Sequence, residues 1–278
     1  MAFKLDFDEL PNSGIKKLYK FKSFDQDGYY KDLLNNQLWL SSRTELNDPL
    51  DCRVKLNYKL CSDEEIKNIM RSHLSWIPFN SIINLIVDAQ FNHRKNNIED
   101  YLNSFESAID KSIGVFSLTQ EISESMWDKY SNKHSGFYVE FNAVKLFSEL
   151  NQKFEQTGNR IFIFRVRYED VLPEVNPCKA SLDEKAQMFL IKTKAWEYEK
   201  EWRIVWFDGM RRDERKEKDY RKEPITANCI SNIYFGLNAS KENIDTAIKI
   251  LSTSNPGIGI FKALKKKDEF GLDFEKIA

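Results

Sequence analysis

Short stretches of apolar and β-branched residues, several of them alternating with polar ones, recur along most of the chain. Segments of this kind are typical of β-strands with a buried face. They cover residues 18–21, 37–42, 113–119, 136–141, 160–168, 202–207, 230–236 and 257–263. Residues 28–36, 183–195 and 240–251 instead combine good helix formers with apolar positions at helical spacing. We therefore predict an α+β fold with a mixed, mainly antiparallel sheet.

Residues 62–112 differ from the rest because their apolar positions repeat with a helical period. Ser62 opens a helix-capping sequence, Ser-Asp-Glu-Glu. The apolar positions that follow are Ile66, Ile69, Met70, then Ile82, Leu85, Ile86, Ala89, then Tyr101, Phe105, Ala108 and Ile109. We predict three helices here, as an insertion in a single domain that spans residues 1–278. His73 and His93 are expected to be ordinary surface or packing residues of these helices.

The composition indicates a globular protein but does not indicate a particular function. Apolar residues make up 41% of the chain and include 20 Phe, 11 Tyr and 6 Trp, which is enough for a globular core. The 42 Lys and Arg nearly balance the 43 Asp and Glu, so the net charge of −1 indicates no particular partner. Residues 208–223, with seven basic and six acidic side chains, are predicted to form a solvated loop between strands.

The cysteines and histidines are too scattered to indicate a metal site. Cys52, Cys61, Cys178 and Cys229 show no C-x-x-C spacing, so we expect reduced thiols rather than a zinc ribbon or a disulfide framework. With 3 histidines and no H-E-x-x-H motif, no metal is expected. The chain lacks a signal-like start and an apolar run near the ~18 residues of a membrane span. We expect a cytoplasmic protein that does not bind membranes.

The densest chemistry lies in residues 196–203, Trp-Glu-Tyr-Glu-Lys-Glu-Trp-Arg. A helix or loop is predicted before this acidic motif and a strand after it, a junction that often holds functional carboxylates. Strand alternation predicts Glu199, Glu201 and Arg203 on one side, where Arg203 offsets the repulsion between the carboxylates. The alternatives are that Glu197, Glu199 and Glu201 point into solvent, and that Arg203 pairs with an unrelated surface acid.

Two further segments are candidates for a ligand pocket. Asn47 and Asp48 precede a proline, and this sequence forces a defined turn that either is only a turn or faces a substrate. Residues 126–136 place Trp127, Tyr130 and His134 close to predicted strand ends. That arrangement suits a pocket wall and equally a helix packed beneath a loop.

A set of short motifs occurs in a fixed order along most of the chain. The motifs are Leu18-Tyr19-Lys20-Phe21, Leu38-Trp39-Leu40-Ser41-Ser42, Asn47-Asp48-Pro49-Leu50-Asp51, Phe116-Ser117, Met126-Trp127, Tyr130, Asn132, His134, Gly136 and Tyr198-Glu199-Lys200-Glu201-Trp202-Arg203. This set resembles the DUF2971 family of bacterial and phage-associated proteins. Asp128-Lys129 stands where Ser-His is common in the family, and Leu50 where Phe is usual. The family's function is unknown, so this resemblance implies no reaction.

The sequence Glu199-Lys200-Glu201 at the start of a strand is similar to the Glu-x-Glu element of ADP-ribosyltransferases. Tyr19 on a first strand, with Ser117 or Thr119 on a later one, would fill the other two places of their triad. The resemblance implies an ADP-ribosyltransferase-like fold and NAD as substrate. Breaking the nicotinamide–ribose bond builds positive charge on the ribose, which Glu201 would stabilise while Glu199 positions or deprotonates the acceptor.

The same resemblance implies binding roles and partners. Tyr19 or Lys20 would hold the ribose or a phosphate, and Trp39, Trp127 or Tyr130 would stack on nicotinamide. The other candidate ligand-binding residues are Ser41, Asn47, Asp48, His134 and Arg203. The acceptor would be a nucleic acid or a protein, as for a toxin or phage-defence effector, and a second protein would neutralise or sense the enzyme.

Two other functions stay open. Asp48, Asp51, Glu199 and Glu201 would gather a divalent metal in a nuclease or nucleotide-processing enzyme, since carboxylate and water ligands suit magnesium. A non-enzymatic module would instead use the aromatic and acidic cleft to bind a nucleotide or a protein. An assay of NAD consumption with and without a chelator separates these three functions.

Overall fold

The computed structural model describes residues 6–24, 28–53, 55–73, 80–96, 113–157, 160–176, 178–207 and 221–278. In these ranges the strands are β1 (Lys17–Lys22), β2 (Gln37–Trp39), β3 (Lys55–Leu56), β4 (Ile113–Thr119), β5 (Phe137–Asn142), β6 (Arg160–Arg165), β7 (Arg167–Tyr168), β8 (Glu174–Val175), β9 (Ile191–Lys192), β10 (Glu201–Phe207), β11 (Lys222–Pro224), β12 (Ile230–Phe235), β13 (Gly259–Lys265) and β14 (Leu272–Lys276). The α-helices are α1 (Glu9–Asn12), α2 (Tyr29–Leu34), α3 (Asp63–His73), α4 (Asn80–Asn96), α5 (Glu124–Tyr130), α6 (Ala143–Thr157), α7 (Leu182–Leu190) and α8 (Lys241–Ser254).

One eight-stranded sheet organises the molecule. Its strand order is β14-β13-β12-β5-β1-β4-β10-β6. Neighbouring strands run antiparallel except β12 and β13, which are parallel. The predicted α+β fold with a mixed, mainly antiparallel sheet is thus confirmed. The remaining strands form the pairs β2–β11, β3–β8 and β7–β9.

Most predicted elements lie within a few residues of their observed bounds. The helix predicted at residues 183–195 is an exception, because it ends at Leu190 and residues 191–192 form β9 instead. The strand predicted at residues 37–42 stops at Trp39, because Ser41 keeps only an isolated bridge to Val115. The strand predicted at residues 160–168 breaks at Val166, because residues 160–165 pair with β10 whereas Arg167 and Tyr168 pair with β9. The tail after residue 265, for which no element was predicted, forms β14 at the edge of the sheet.

The main hydrophobic core lies on one face of the sheet. β10 supplies Trp202, Ile204 and Trp206 to this core, alternate residues as expected for a strand. Helices α1, α2, α6 and α8 cover the face with buried side chains such as Leu146 and Leu251. A single layer of helices therefore closes the core on this side of the sheet.

The opposite face of the sheet carries two smaller clusters and a group of charges. Val205 packs with α7 in one cluster, and Trp127 of α5 packs against Phe21 in the other. Glu201 and Arg203 share the face of Val205 because side chains alternate along β10. This face therefore brings buried charges close to aromatic packing, and it holds the candidate site.

Two of the three helices predicted for residues 62–112 are present as α3 and α4, and they pack through Met70, Ile83, Val87 and Phe91. The third helix predicted in it falls in residues 97–112, outside the described residues. His93 is exposed, as expected for a surface residue. Among the described residues, no helix combines the length and apolar character that a membrane crossing requires.

The expectation of four reduced cysteines is wrong for one pair. Cys61 and Cys178 form a disulfide across 117 residues of sequence. The parallel pairing of β3 with β8 brings the two segments together, which the spacing along the chain could not indicate. Cys52 and Cys229 are free and buried.

The prediction of a solvated loop over residues 208–223 is also wrong for residues 221–223, which the structure describes. Arg221 is 5% exposed and donates to the carbonyls of Leu40 and Ile113, both at 3.1 Å. Lys222 and Glu223 then pair with β2. Residues 208–220 of the predicted loop lie outside the described residues. The charged composition hid this strand, which has three residues and pairs with β2 in a two-stranded sheet.

Candidate functional site

The large sheet is split between β1 and β4. In the described chain these strands pair at a single position, Tyr19 opposite Thr119, whereas β4 pairs with β10 along its whole length. At the split, the Lys20 Nζ donates to the Ser117 carbonyl at 2.9 Å. The Lys20 side chain therefore occupies a carbonyl that would accept a backbone hydrogen bond if β1 and β4 were paired continuously. Space opens between the two halves of the sheet.

A cavity of about 210 Å³ opens at this split. β1 contributes Tyr19 and Lys20 to its wall, and β4 contributes Ser117. Met126 and Tyr130 of α5 line it as well. The wall thus combines hydroxyls, an ammonium and apolar surface, as small-molecule sites commonly do.

The acidic motif reaches the cavity through an irregular backbone. The 3₁₀ helix Lys194–Glu199 ends at Lys200, whose φ of 44° is left-handed and uncommon for a residue with a side chain. Thr119 Oγ1 donates to the Glu199 carbonyl at 2.6 Å, and the Glu201 N–H donates to the Tyr168 hydroxyl at 2.8 Å. These two bonds hold the backbone on either side of the turn. The predicted junction of a helix or loop with a strand is confirmed.

The three carboxylates of the motif have different surroundings. Glu199 and Glu201 are each 3% exposed and line the cavity, whereas Glu197 is exposed. The alternative of a solvated acidic edge is therefore correct for Glu197 and wrong for the other two. Carboxylates are rarely buried without partners, because leaving water is costly for a charge.

Lys192 is the main partner of these buried carboxylates. Its Nζ lies 2.6 Å from Glu199 Oε2, 3.2 Å from Glu201 Oε2 and 3.5 Å from Asp51 Oδ2. The side chain comes from β9, directly after α7, and is itself buried. One ammonium thus gathers three carboxylates that come from two distant parts of the sequence.

Arg203 is the second cation of the cluster and contacts two of the same carboxylates. Its Nε and Nη2 donate to the two Glu201 oxygens at 2.7 and 3.0 Å. Its Nη1 and Nη2 donate to the two Asp51 oxygens at 3.0 and 2.6 Å, and Nη1 also donates to the Phe189 carbonyl. The predicted place of Arg203 beside the carboxylates is confirmed, and the alternative of a surface ion pair is wrong. Two-pronged contacts of this kind suit the planar guanidinium.

The surroundings move the pKa values of the two carboxyl groups in opposite directions. Burial by itself raises the pKa of Glu201, but Arg203 and Lys192 outweigh it and lower that pKa to about 2. Burial also raises the pKa of Glu199, where Lys192 offsets it only in part and the nearby Glu201 adds to it. Glu201 is therefore held ionised, while Glu199 takes up a proton more readily than an ordinary glutamate.

Tyr130 links Glu199 to Asn47 through hydrogen bonds. Its hydroxyl donates to Glu199 Oε1 and accepts a hydrogen bond from Asn47 Nδ2 at 3.2 Å. Burial and the charge of Glu199 raise the pKa of Tyr130, so this phenol stays protonated and remains a donor. Glu199 thus has one ammonium and one neutral hydroxyl as partners.

Lys20 lies across the cavity from these carboxylates. Burial and the neighbouring Lys22 lower its pKa to about 8, against the opposing effect of Glu201 and Glu199. Its Nζ is also 4.7 Å from the centroid of the Phe116 ring. Near neutral pH the side chain is mostly charged, and it offers a cation to a ligand in the cavity.

Comparison with known proteins shows that part of the chain is similar to a family of unknown function. Residues 126–204 match the family model of DUF2971, described as a protein of unknown function. The matched segment runs from α5 to β10 and includes Tyr130, Lys192, Glu199, Glu201 and Arg203. The match supports the assignment to this family that the sequence motifs indicated. No curated protein and no solved structure matches the chain significantly.

The structure brings together most of the site residues predicted from sequence. The cavity is lined by Tyr19, Lys20, Ser41, Asn47, Ser117, Tyr130, Glu199 and Glu201. Arg203, with an exposed fraction of 0%, does not line the cavity, but it contacts two residues that do, Glu201 and Asp51. Trp39 lines a second cavity instead, which adjoins the first.

Three of the predicted ligand-binding residues do not face the cavity. Trp127 is 1% exposed and packs edge-on against Phe21, with ring centroids 5.0 Å apart. His134 stacks on Trp127, and its Nε2 lies 2.9 Å from Glu124 Oε2. Asp48 accepts from the Leu50 N–H at 2.8 Å, so its side chain only shapes the turn. These expectations are corrected because helix packing and turn chemistry already use the three side chains.

Lys192 was missed from sequence, although one signal for it exists. It directly follows four apolar residues, 188–191, and a lysine there is carried into the interior. Asp51 was considered only as a metal ligand. Asp51, Glu199 and Glu201 do come together, but Lys192 lies among them. Within the described ranges, no group of three or more His, Cys, Asp or Glu side chains is arranged to hold a metal ion.

Proposed function

We propose that the cavity is the active site of an enzyme that breaks the nicotinamide–ribose bond of NAD, as an ADP-ribosyltransferase or NAD glycohydrolase. The observation that carries the proposal is the meeting of Tyr19, Ser117 and Glu201 at one cavity. These residues belong to three adjacent strands, β1, β4 and β10. Backbone pairing holds such positions more rigidly than a loop could.

The reaction requires a fixed negative charge beside the ribose. As the C1′–N bond breaks, its electron pair goes to the nicotinamide nitrogen and positive charge develops on the ribose ring. Preorganised groups of opposite charge stabilise such a transition state. Asp51, Glu199 and Glu201 supply three carboxylates against the two cations that contact them directly, Lys192 and Arg203. This cluster therefore carries one surplus negative charge when all five groups are ionised, and the Lys20 ammonium on the same cavity wall is left for the phosphates.

The contacts favour Glu199 as the group that meets this charge. Both oxygens of Glu201 are engaged by Arg203, and one also by Lys192. Glu199 has a single cation partner and a raised pKa. In this proposal Glu199 faces the ribose, and Glu201 is a positioning residue that acts through Lys192. The roles are the reverse of those implied by the ADP-ribosyltransferase resemblance.

The remaining wall residues suit the rest of such a substrate. A water, or a hydroxyl of a nucleic-acid or protein acceptor, would attack C1′ and pass its proton to Glu199. Tyr19 and Lys20 offer donors to ribose hydroxyls and phosphate oxygens. Tyr130 and Met126 offer flat and apolar surface to nicotinamide.

Nicotinamide release from NAD by the purified chain tests the proposal. We expect turnover that a chelator does not change, and a loss of about 10²–10³-fold in Glu199→Gln, which keeps the shape but removes the charge. Glu197→Gln is the matched control, since Glu197 belongs to the same motif and is exposed. It should retain wild-type turnover.

The same assay separates the other functions. Cleavage of nucleic acid that stops when a chelator is added would replace the proposal with the metal-dependent nuclease. Absence of both reactions, with a measurable affinity for nucleotides, would identify a binding module. Full activity of Glu199→Gln would remove Glu199 from the chemistry.

A further inference from the structure

A second cavity of about 250 Å³ adjoins the first. Lys20, Ser41 and Glu45 line both cavities, so these side chains lie between the two. The second cavity is otherwise walled mainly by Tyr29 and Trp39. The function proposed above leaves this space unused.

The two cavities lie on opposite sides of the split sheet. Tyr19 and Phe21 of β1 line the first cavity, and Lys22 lines the second. Successive side chains of a strand point to opposite faces of the sheet. Because odd-numbered residues of β1 line the first cavity and the even-numbered Lys22 lines the second, the two cavities lie on opposite sides of β1. Lys20 lines both because its ammonium extends into the gap and bonds the Ser117 carbonyl.

We propose that the second cavity binds the nucleobase of a dinucleotide whose other half occupies the first cavity, with Lys20 contacting the diphosphate between them. This inference rests on the proposed function for the identity of the first half. It adds a base-binding site and a path for the ligand through the β1–β4 split.

The walls of the second cavity suit a flat aromatic ring. The rings of Tyr29 and Trp39 have centroids 4.7 Å apart and planes inclined by 36°. Both residues are half-buried, so they present ring surface that a base can cover. Gln37 adds an amide that can pair with the polar edge of a base.

The charges and the sizes favour one ligand that spans both cavities. Lys22 lies beside the Tyr29 ring at 5.5 Å, so with Lys20 two ammonium groups border the path. Cations there suit the negative charge of a diphosphate. Each cavity is smaller than the roughly 300–1,000 Å³ of ordinary ligand sites, whereas the two together fall within that range.

Calorimetric titration with ADP, adenosine and nicotinamide tests the inference without depending on turnover. In Trp39→Leu we expect the affinity for ADP and adenosine to fall about tenfold, because stacking is lost, while nicotinamide binding stays unchanged. Trp39→Phe keeps a flat ring and should retain most of the affinity. Tyr234→Leu is the control, since Tyr234 is a half-buried aromatic that lines neither cavity.

Lys20→Met gives an independent measurement if Trp39→Leu does not fold. We expect it to weaken ADP much more than adenosine, since only ADP carries the diphosphate. Equal ADP affinity of Trp39→Leu and wild type, equal weakening of ADP and adenosine by Lys20→Met, or no ADP binding to the wild type would overturn the inference.

The base-binding site and the proposed reaction can fail separately. If Trp39→Leu loses ADP affinity but the wild type never consumes NAD, the base-binding site stands and the reaction falls. If the wild type consumes NAD and Trp39→Leu binds ADP as tightly as wild type does, the reaction stands and the base-binding site falls.

Discussion

The side chains on the two faces of β10 are equally buried, but one face is apolar and the other carries charges. On one face Trp202, Ile204 and Trp206 are 0–2% exposed within the main core. On the other, Glu201 and Arg203 are 3% and 0% exposed. The same seven-residue strand therefore buries only apolar side chains on one side, and two charged side chains beside Val205 on the other.

The difference lies in what each side chain needs from its neighbours. An apolar side chain loses contact energy when a neighbour is trimmed, in proportion to the cavity left behind. A buried charge depends on particular partners, and removing one partner leaves the other uncompensated in a poor solvent. The charged face should therefore be more sensitive to single substitutions and to pH, and each prediction below tests part of that contrast.

The largest effect is expected for Arg203→Met. This change leaves Asp51 and Glu201 without their guanidinium, so we expect a loss of about 3–5 kcal/mol in the free energy of unfolding. Urea denaturation at pH 7 measures it. Arg165→Met on the neighbouring strand is the control, because Arg165 is exposed, and it should stay within about 0.5 kcal/mol of wild type. A loss below about 1 kcal/mol for Arg203→Met would contradict the contrast between the faces.

The next effect is the acid sensitivity of the charged face. The pKa of Glu201 is lowered to about 2 in the folded protein, so its stabilising contribution is present above the pKa of an unfolded glutamate, roughly 4.3. That contribution is lost as the pH falls through about 2. The raised pKa of Glu199 acts in the opposite sense, because protonation on acidification favours the folded state.

Denaturation midpoints between pH 7 and pH 2 check this expectation. Glu201→Gln should flatten the fall in stability below about pH 4.3 relative to wild type. Glu199→Gln should instead steepen the fall in stability above about pH 4.3, because there the raised pKa of Glu199 lets the folded state bind a proton that the unfolded state does not. Identical slopes for wild type and Glu201→Gln would show that this carboxylate is not held ionised by its partners.

A smaller effect is expected on the apolar face. Ile204→Val removes one methylene group from the core and should cost about 0.5–1.5 kcal/mol. Because no charge is involved, the difference from wild type should be the same at pH 7 and pH 4. A difference that changes with pH would mean that the two faces are coupled through the strand.

The smallest effect is expected for Glu197→Gln, outside both faces. Glu197 belongs to the same acidic motif but is exposed, and its contact with Lys200 is 3.6 Å. The free energy of unfolding should change by no more than about 0.5 kcal/mol. A larger loss would show that an exposed carboxylate of this motif can stabilise the fold as the buried ones do.

Much of the fold followed from local pattern, and the failures share a cause. The strands that became β1, β4, β5, β10 and β12 were predicted because alternation and β-branched or aromatic residues act within a few neighbours. The Cys61–Cys178 disulfide and the strand β11 were not predicted, since both depend on a partner more than 100 residues away. Trp127 was misplaced because an aromatic residue near a strand end looks the same whether it packs inward or faces a ligand.

Much of the candidate site could be predicted from local pattern: the Glu199 and Glu201 carboxylates, Tyr19, Ser117 and the support from Arg203. Alternation within one strand is a local property, so the spacing of Glu201 and Arg203 alone indicates that they share a face. The folded chain was needed to show that Lys192 and Asp51 complete the cluster and that β1 and β4 separate beside Lys20. It was also needed to show that the charge of Glu199 is less fully compensated by cations than the charge of Glu201. Those facts depend on contacts between distant segments and on burial, and burial sets the strength of every charge interaction in the site.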